Sequence, residues 1–381
     1  MKQCPYSKKC SGCQLKNLTY EKQLQMKQVK LIKLLGRFCH VDEIIGMDEP
    51  YRYRNKAQSM FFTKNRKACS GIYQSATQSV VPVDTCLLEN EKADKIIQTI
   101  KKLCSGFDIR PYDMESGRGL LRHVLVRNGH YSNEIMVVLV TTDEKFKSSR
   151  SFVNELLRIH PEITTIVRNY NLSSTPLMLG TKSEVLYGEG YIKDSLCGFD
   201  FQISPRSFYQ VNTVQTEKLY SVAKEYAGLT GNEVVFDAYC GTGTIGITMA
   251  KEASRVIGVE INSDAIKDAK LNAKLNSIKN ISFYNADAGK LAVEMAEAKE
   301  KIDVLITDPP RAGCSIQFLK SVLSLLPKRI VYVSCNPETL ARDLVTLTKK
   351  HYKVTKIQPV DMFPHTNHVE TVVCLTRREK Q

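Results

Sequence analysis

The chain of 381 residues contains no tryptophan and no apolar run long enough to cross a bilayer. The second absence excludes a transmembrane helix. The amino-terminal stretch MKQCPYSKKCSGCQ lacks the apolar core of a signal peptide, so secretion is not predicted. We therefore expect a cytoplasmic protein with no membrane contact, whose 12 cysteines stay reduced rather than forming disulfides. These cysteines are then available for packing, metal binding or nucleophilic chemistry.

The chain has fewer acidic than basic residues: 40 Asp and Glu against 54 Lys and Arg, which gives a net charge of +14. Most of this excess lies in residues 1–70, which contain 15 basic and 5 acidic residues. Charge alone fits equally well a protein kept soluble by its charge and a protein that binds nucleic acid. Near position 50, Arg52, Arg54 and Lys56 alternate with two tyrosines, and cations and rings suit phosphates and unstacked bases. We therefore predict that these three residues contact RNA.

The pattern of the chain divides it into three parts. Residues 1–49 combine a cysteine cluster with an amphipathic helix over 18–36. Residues 50–200 show short β-branched and aromatic runs interrupted by two helices, which predicts a small RNA-binding α+β or antiparallel domain. Residues 201–381 alternate strands with helices, which predicts a doubly wound, Rossmann-like α/β domain with a mostly parallel sheet.

A glycine-rich turn follows the first strand of the predicted α/β domain. Asp237 ends this strand, and Gly241 and Gly243 belong to a GxGxxG pattern that opens a helix. Such a pattern is weak evidence on its own, since it also suits the pyrophosphate of a dinucleotide. Glu260, at the end of the next strand, fits a ribose hydroxyl with either kind of cofactor.

Acidic residues at further strand ends favour S-adenosylmethionine over a nicotinamide. Asp308 is followed by two prolines, which form a rigid turn without backbone donors beside a transferable methyl group. Asp287 follows the third strand, where an adenine could be held. A carboxylate such as Asp237 or Asp308 suits a cationic cofactor that carries an amino group and a sulfonium. Methyl transfer is therefore predicted.

The residues at the last strand ends indicate which atom receives the methyl group. Arg311, rather than an aromatic residue, follows the Asp-Pro-Pro motif, which disfavours methylation of an exocyclic amine. Cys335 ends the fifth strand, at the rim where α/β proteins bind ligands, and a thiolate there can add to C6 of a pyrimidine and activate C5. Glu370 near the carboxyl terminus can remove the C5 proton. The alternative for Cys335 is a buried packing residue.

Five ordered motifs resemble those of the RNA uracil-C5 (5-methyluridine) methyltransferases: SFYQVN, DAYCGTG, DPPRAG, SCNP and HVE. The resemblance extends from about residue 200 to the carboxyl terminus. It implies that Cys335 is the nucleophile and Glu370 the base, and that the target base is flipped into the pocket. It also implies S-adenosylmethionine contacts from Gln210, Tyr239, Glu260 and Asp308. Phe208, together with Gln210, would lie near the uracil.

Cys4, Cys10 and Cys13 provide three of the four ligands of a metal site. Cys86, in a polar loop after a strand-like run, is the best candidate for the fourth ligand. Four thiolates suit zinc or an iron–sulfur cluster. The sequence lacks the second CxxC pair of many zinc sites, and the resemblance favours a [4Fe-4S] cluster, which many family members carry. We expect this cluster to be structural or to orient RNA.

Because only three residues precede Cys4, we expect the protein to lack the amino-terminal TRAM-type RNA-binding domain of several family members. It thus resembles the shorter branch that acts on 23S ribosomal RNA, with transfer RNA as the alternative substrate and a monomer expected. Two other functions stay open at this point. One is methylation of cytosine C5, and the other is an iron–sulfur RNA-binding protein with an inactive methyltransferase fold.

Overall fold

A computed structural model describes residues 3–74, 77, 79–173 and 178–379. The chain forms two compact units, and each is described separately below. The first comprises the chain up to Cys13, residues 49–195 and residues 202–206. The second comprises residues 14–48, residues 196–201 and the chain from Ser207 onward.

The helices of the described residues are α1 (Tyr20–Leu35), α2 (Glu91–Gly106), α3 (Ser149–Ile159), α4 (Thr213–Ala227), α5 (Thr244–Ala250), α6 (Ser263–Leu275), α7 (Ala288–Glu297), α8 (Ile316–Leu325) and α9 (Pro337–Thr348). The strands are β1 (Lys56–Lys64), β2 (Lys67–Gln74), β3 (Ser79–Pro82), β4 (Leu121–Asn128), β5 (Ile135–Thr141), β6 (Ile163–Tyr170), β7 (Lys182–Tyr187), β8 (Ile192–Leu196), β9 (Phe199–Ile203), β10 (Val234–Ala238), β11 (Arg255–Glu260), β12 (Ile281–Asn285), β13 (Val304–Thr307), β14 (Arg329–Ser334), β15 (Tyr352–Val360) and β16 (Glu370–Arg377). None of the helices in these residues is long and apolar enough to span a bilayer.

The first unit is built on a seven-stranded sheet with the order β3-β2-β1-β4-β5-β6-β7. Its strands pair antiparallel except for β5 and β6, which are parallel and are joined through α3. Apolar residues of α2 and α3, such as Ile96, Ile100 and Phe152, pack with Val124 of β4 and Val137 of β5. This mixed architecture agrees with the α+β or antiparallel fold expected from the short strand-like runs.

The second unit carries the predicted Rossmann-like sheet, with the order β12-β11-β10-β13-β14-β16-β15. The five strands from β12 to β14 are parallel, and β16 lies antiparallel between β14 and β15. Strand order reverses between β10 and β13, which is the switch point where open α/β sheets bind ligands. A parallel sheet covered by helices needs apolar strands, and Phe236, Ile257 and Tyr332 are accordingly buried.

The compact units divide the chain differently from the predicted boundaries at 49 and 200. The predicted segment 1–49 is split after Cys13, because α1 and the residues after it belong to the second unit. Leu31 and Leu35 of α1 are fully buried in the same apolar core as Phe236 of β10. The apolar stripe of α1 therefore completes the core of the α/β unit, while the cysteines before it belong to the first unit.

Candidate active site

A cavity of about 750 Å³ opens at the carboxyl ends of β10, β11, β13 and β14 in the second unit. This volume is in the usual range for small-molecule sites. Nine residues predicted from the sequence line its wall: Phe208, Gln210, Tyr239, Gly241, Glu260, Asp287, Asp308, Cys335 and Glu370. Residues that are far apart in the sequence, from Phe208 to Glu370, thus meet at one edge of the sheet.

The glycine-rich turn after β10 forms one side of this cavity. Tyr239, Gly241 and Gly243 have φ angles of +63°, +54° and +80°, so the chain is left-handed at three positions. The backbone N–H of Gly241 donates to a carboxylate oxygen of Glu260 at 3.3 Å. A side chain at Gly243 would place its Cβ 2.8 Å from the ring of Phe283. Glycine is required at this position both by the backbone conformation and by the close packing.

Asp237 and Gly243, which are also predicted to contact the cofactor, are not among the residues that line the cavity. The carboxylate of Asp237 accepts a hydrogen bond of 2.9 Å from the backbone N–H of Gly246, in the first turn of α5. Burial raises the pKa of Asp237 to about 7, with further contributions from Asp308 and Glu260. The physical reason is that the first N–H groups of α5 need acceptors, and Asp237 supplies one of them.

The acids that do line the cavity differ in their surroundings. Glu260 accepts hydrogen bonds from the backbone N–H groups of Gly241 and Asn262. Asp287 caps α7 by accepting from the N–H of Lys290 at 3.0 Å. Burial raises the pKa of Asp308 to about 7. These acids make the cavity suitable for a cationic ligand, and a change of pH near neutrality alters the charge of Asp308.

Cys335 follows directly after β14 and precedes α9, whose first turn contains Pro337 and is capped by Asn336. Its side chain is half-buried in the cavity wall. Burial raises the pKa of the Cys335 thiol to about 11, and the negative charges of Glu370 and Asp308 add to this effect. The positive charge of Arg311 opposes it. A thiol with this pKa is mainly protonated at neutral pH.

Glu370 is the first residue of β16 and pairs with Val360 of β15. Its side chain is buried, with only 5% of its surface exposed. Burial raises the pKa of Glu370 well above the usual range of a carboxyl, and the nearby charge of Asp308 raises it further, whereas Arg311 lowers it. Two carboxyl groups and one thiol thus influence one another in a single cavity, which is typical of reactive sites.

Four further residues of the wall have no site role predicted from the sequence: Tyr220, Arg311, Phe363 and His368. Arg311 Nη2 lies 2.7 Å from His368 Nδ1, so the Asp-Pro-Pro-Arg turn contacts the segment that precedes Glu370. Both residues could have been found from their positions, since Arg311 comes three residues after Asp308 and His368 two residues before Glu370. Tyr220 lies in α4 and gives no comparable signal in the sequence.

The four predicted metal ligands all belong to the first unit. The Tyr6 hydroxyl accepts a hydrogen bond of 3.1 Å from the N–H of Asp84, which ties the amino-terminal segment to the loop of Cys86. Burial raises the pKa of Cys86 to about 12, and the charges of Glu89 and Cys13 contribute. However, within the described residues no group of three His, Cys, Asp or Glu side chains is arranged to hold a metal ion. The segments of Cys13 and Cys86 are nevertheless close enough for Cys13 to act electrostatically on Cys86.

Arg52, which is predicted to contact RNA, binds groups of its own unit through its guanidinium. Its Nη1 donates to Asp94 Oδ2 at 2.6 Å and to the carbonyl of Cys86 at 2.5 Å. Arg54 acts electrostatically on the buried Glu89 and lowers the pKa of that carboxyl against the effect of burial. Lys56 is largely buried, and burial lowers its pKa to about 8. Buried carboxyls require cations nearby, which is the physical reason for the contacts of Arg52 and Arg54.

The Rossmann-like sheet, the left-handed glycine turn and the acids at successive strand ends define an S-adenosylmethionine-dependent methyltransferase. The family model described as tRNA (Uracil-5-)-methyltransferase matches residues 19–378, and the chain belongs to this family. It is an RNA (uracil-C5-)-methyltransferase. The predicted enzyme class and methyl donor are thereby confirmed.

Several relatives are similar over nearly the whole chain. An uncharacterized RNA methyltransferase of Oceanobacillus iheyensis is 43% identical over 373 residues, which cover 96% of this chain and 81% of the relative. One of Clostridium tetani is 43% identical over 377 residues, with 98% of this chain and 82% of the relative covered. The crystal structure of Pyrococcus abyssi tRNA (uracil-54, C5)-methyltransferase in complex with S-adenosyl-L-homocysteine is 29% identical, with a TM-score of 0.81 over 98% of this chain and 87% of that chain.

Proposed function

We propose that the protein methylates C5 of a uridine in RNA through a covalent bond between Cys335 and C6. The observation that carries this proposal is that Cys335, Glu370 and Asp308 line one cavity and influence one another electrostatically. A nucleophile and a base are both needed, because C5 of uracil does not take a methyl group without activation. All residues proposed to react belong to one unit of one chain, so a monomer suffices.

We propose that the cofactor lies against Gln210, Tyr239, Gly241 and the acids at the strand ends. S-Adenosylmethionine, when bound, supplies an electrophilic methyl group on a sulfonium. Glu260 and Asp287 are placed for hydroxyl and amine donors, and Asp308 offers negative charge for a cation. The left-handed turn at Gly241 leaves space for the cofactor to approach the backbone closely, since no atom lies within 4 Å of a Cβ built there.

Cys335 has the role of the nucleophile. Its thiol loses a proton, the sulfur then forms a bond to C6, and the electron pair of the C5–C6 double bond becomes available at C5 for methylation. Because burial and two carboxyls raise the pKa of this thiol, deprotonation costs free energy. Arg311 offsets part of that cost. Phe208 lines the same cavity with 64% of its surface exposed and is proposed to stack on the flipped uracil.

Glu370 has the role of the base. After methylation, its carboxylate removes the proton from C5, the C5–C6 double bond re-forms, and the bond between C6 and the sulfur breaks to release the Cys335 thiolate. The raised pKa of Glu370 makes its ionised form a stronger base than an ordinary carboxylate, which suits proton transfer near neutral pH.

Nucleoside analysis tests this function. Purified protein is incubated with RNA and S-adenosylmethionine, and the digested RNA is analysed by mass spectrometry. The account predicts 5-methyluridine from the native protein and none from Cys335→Ala. Formation of 5-methylcytidine instead would contradict the proposal and support the cytosine alternative. If intact protein binds S-adenosylmethionine and RNA but methylates neither base, the inactive-fold alternative is supported.

We propose 23S ribosomal RNA as the substrate, on the basis of the resemblance to the family members that carry a cysteine cluster and act on this RNA. Transfer RNA is the second candidate, since the family description and the similar Pyrococcus abyssi enzyme both name tRNA. Mapping 5-methyluridine in both RNA classes from a strain without this protein distinguishes them. Loss of one modification in 23S ribosomal RNA supports the first proposal, and loss confined to transfer RNA contradicts it.

We further propose that Cys4, Cys10, Cys13 and Cys86 bind a [4Fe-4S] cluster in the cytoplasm. The spacing of the first three cysteines and their location in the same unit as Cys86 support this proposal. A cluster is larger than a single ion, so its ligands stand farther apart than those of a mononuclear site. Protein purified without oxygen should contain about four iron and four sulfide ions per chain, and Cys4→Ser should lose them. Zinc in their place would contradict the proposal.

A further inference from the structure

Residues 361–368, which form most of the connection between β15 and β16, border the cavity. Phe363 and His368 in this connection line the wall, and Glu370 follows two residues after it. His368 also contacts Arg311 at 2.7 Å. A shift of this connection would therefore move the proposed base and two other residues of the wall together.

Helix α1 holds one end of the connection through an ion pair. Lys27 Nζ donates to Asp361 Oδ1 at 2.7 Å and to the carbonyl of Phe363 at 3.2 Å. The Tyr20 hydroxyl donates to the other carboxylate oxygen of Asp361 at 3.0 Å. Lys27 and Asp361 are both buried, with side-chain exposures of 3% and 0%.

Gln23, one turn earlier on the same face of α1, holds the middle of the connection. Its side-chain Oε1 accepts from the backbone N–H of His365 at 2.8 Å. Its Nε2 lies 3.1 Å from Nδ1 of the same histidine. Gln23 is fully buried, and the left-handed φ of +68° at His365 shows a sharp turn of the chain at this contact.

Stability does not account for these polar residues on a buried helix face. Burial lowers the pKa of Lys27, and the charge of Asp361 and a hydrogen bond to it only oppose that effect. A buried ion pair seldom stabilises a fold more than apolar residues of the same volume, whereas it does fix one geometry. Leu31 and Leu35 on the same face already supply apolar packing.

We propose that Lys27 and Gln23 are positioning residues that hold the 361–368 connection so that Glu370 meets the C5 proton. Neither side chain lines the cavity, so both act through the connection. This inference rests on the proposed function, in which Glu370 releases RNA from its covalent bond to Cys335. Without the two contacts, addition of Cys335 continues while removal of the C5 proton slows.

The consequence is a covalent protein–RNA complex that persists on ordinary uridine RNA. Misplacement of a catalytic group by about 1 Å can lower a rate by about 100-fold. We expect Lys27→Met and Gln23→Leu to slow release of the complex by about 10- to 100-fold. The affinity for S-adenosylhomocysteine should stay within about twofold of the native value, because the cofactor side of the cavity is untouched.

The experiment compares these two variants with Glu370→Gln and with Lys33→Met, an exposed lysine on the same helix. The number of active sites is measured by trapping with 5-fluorouridine RNA. Rates are divided by this number, so that unfolded protein does not affect them. Covalent complex and its release on ordinary RNA are then measured per active site, by denaturing gel and rapid quenching. Gln23→Leu keeps the ion pair and serves if Lys27→Met fails to fold.

The inference is supported if RNA is released slowly from the covalent complex of Lys27→Met or Gln23→Leu and at the native rate from that of Lys33→Met. Native release from every α1 variant would overturn it, as would an equal slowing of adduct formation and release with loss of cofactor affinity. The experiment distinguishes failure of the base role of Glu370 from failure of the positioning role of Lys27 and Gln23. If Glu370→Gln itself forms no persistent complex, the proposed role of the base fails. If only Glu370→Gln forms one, the base role stands and the positioning inference fails.

Discussion

Replacing Glu370 by Gln should make the Cys335 thiol more acidic. In the free protein the pKa of Cys335 is raised to about 11, so about one molecule in a thousand carries the thiolate at pH 8. Burial is the largest cause of this shift and remains in the variant, as does the charge of Asp308. The negative charge of Glu370 also raises this pKa. Removing that charge should lower the thiol pKa by about one unit and increase the thiolate fraction about tenfold.

Alkylation by iodoacetamide, followed by mass spectrometry of the Cys335 peptide, measures this change. The native rate should rise about tenfold per pH unit from pH 7 to 10 without a plateau, whereas a thiol with an ordinary pKa of about 8.5 levels off. Glu338→Gln is the matched control, because Glu338 lies on α9 near Cys335 but pairs with Lys30 on the surface. A native plateau below pH 9, or equal rates in the two variants, would refute the reasoning.

Three further predictions follow from the structure. Because the pKa of Asp308 is raised to about 7, S-adenosylmethionine should bind more tightly as pH rises from 6 to 8 and this carboxyl becomes charged; calorimetry should show this dependence, and Asp308→Asn should flatten it. Gly243 has a φ of +80° and no room for a Cβ, so Gly243→Ala should lower the free energy of unfolding by about 1–3 kcal/mol. Thermal unfolding measures this change. The control is Gly106→Ala, at a position with open space, which should not lower stability comparably. Asp94→Ala leaves Arg52 without its carboxylate and should lower the unfolding free energy of its unit by about 2 kcal/mol, measured by urea; an unchanged value would contradict the structural role of this pair.

Residues at the carboxyl ends of parallel strands could be predicted as neighbours from the sequence. Alternating strands and helices bring these ends to one edge of the sheet, so Glu260, Asp308 and Cys335 meet there as expected. The same pattern does not reveal which way a side chain turns. Asp237 is the penultimate residue of β10, but it accepts from an N–H group of α5 rather than lining the cavity.

Long-range polar contacts could not be predicted from local patterns. The amphipathic pattern predicts α1, but it does not explain the buried Lys27, whose partner Asp361 lies 334 positions later. Likewise, Arg52 stands among aromatic and basic residues that suggest RNA, while its carboxylate partner Asp94 lies 42 positions away. A charged residue has the same local pattern whether it faces solvent, RNA or a buried counter-ion.

Trapping with 5-fluorouridine RNA tests the central claim most directly, because fluorine at C5 cannot be removed as a proton. With S-adenosylmethionine present, the account predicts a denaturation-resistant complex containing one methyl group and a nucleotide attached to the peptide of Cys335. Cys335→Ala should form none. Attachment at another cysteine, or no complex from protein that binds both the cofactor and the RNA, would contradict the proposed mechanism.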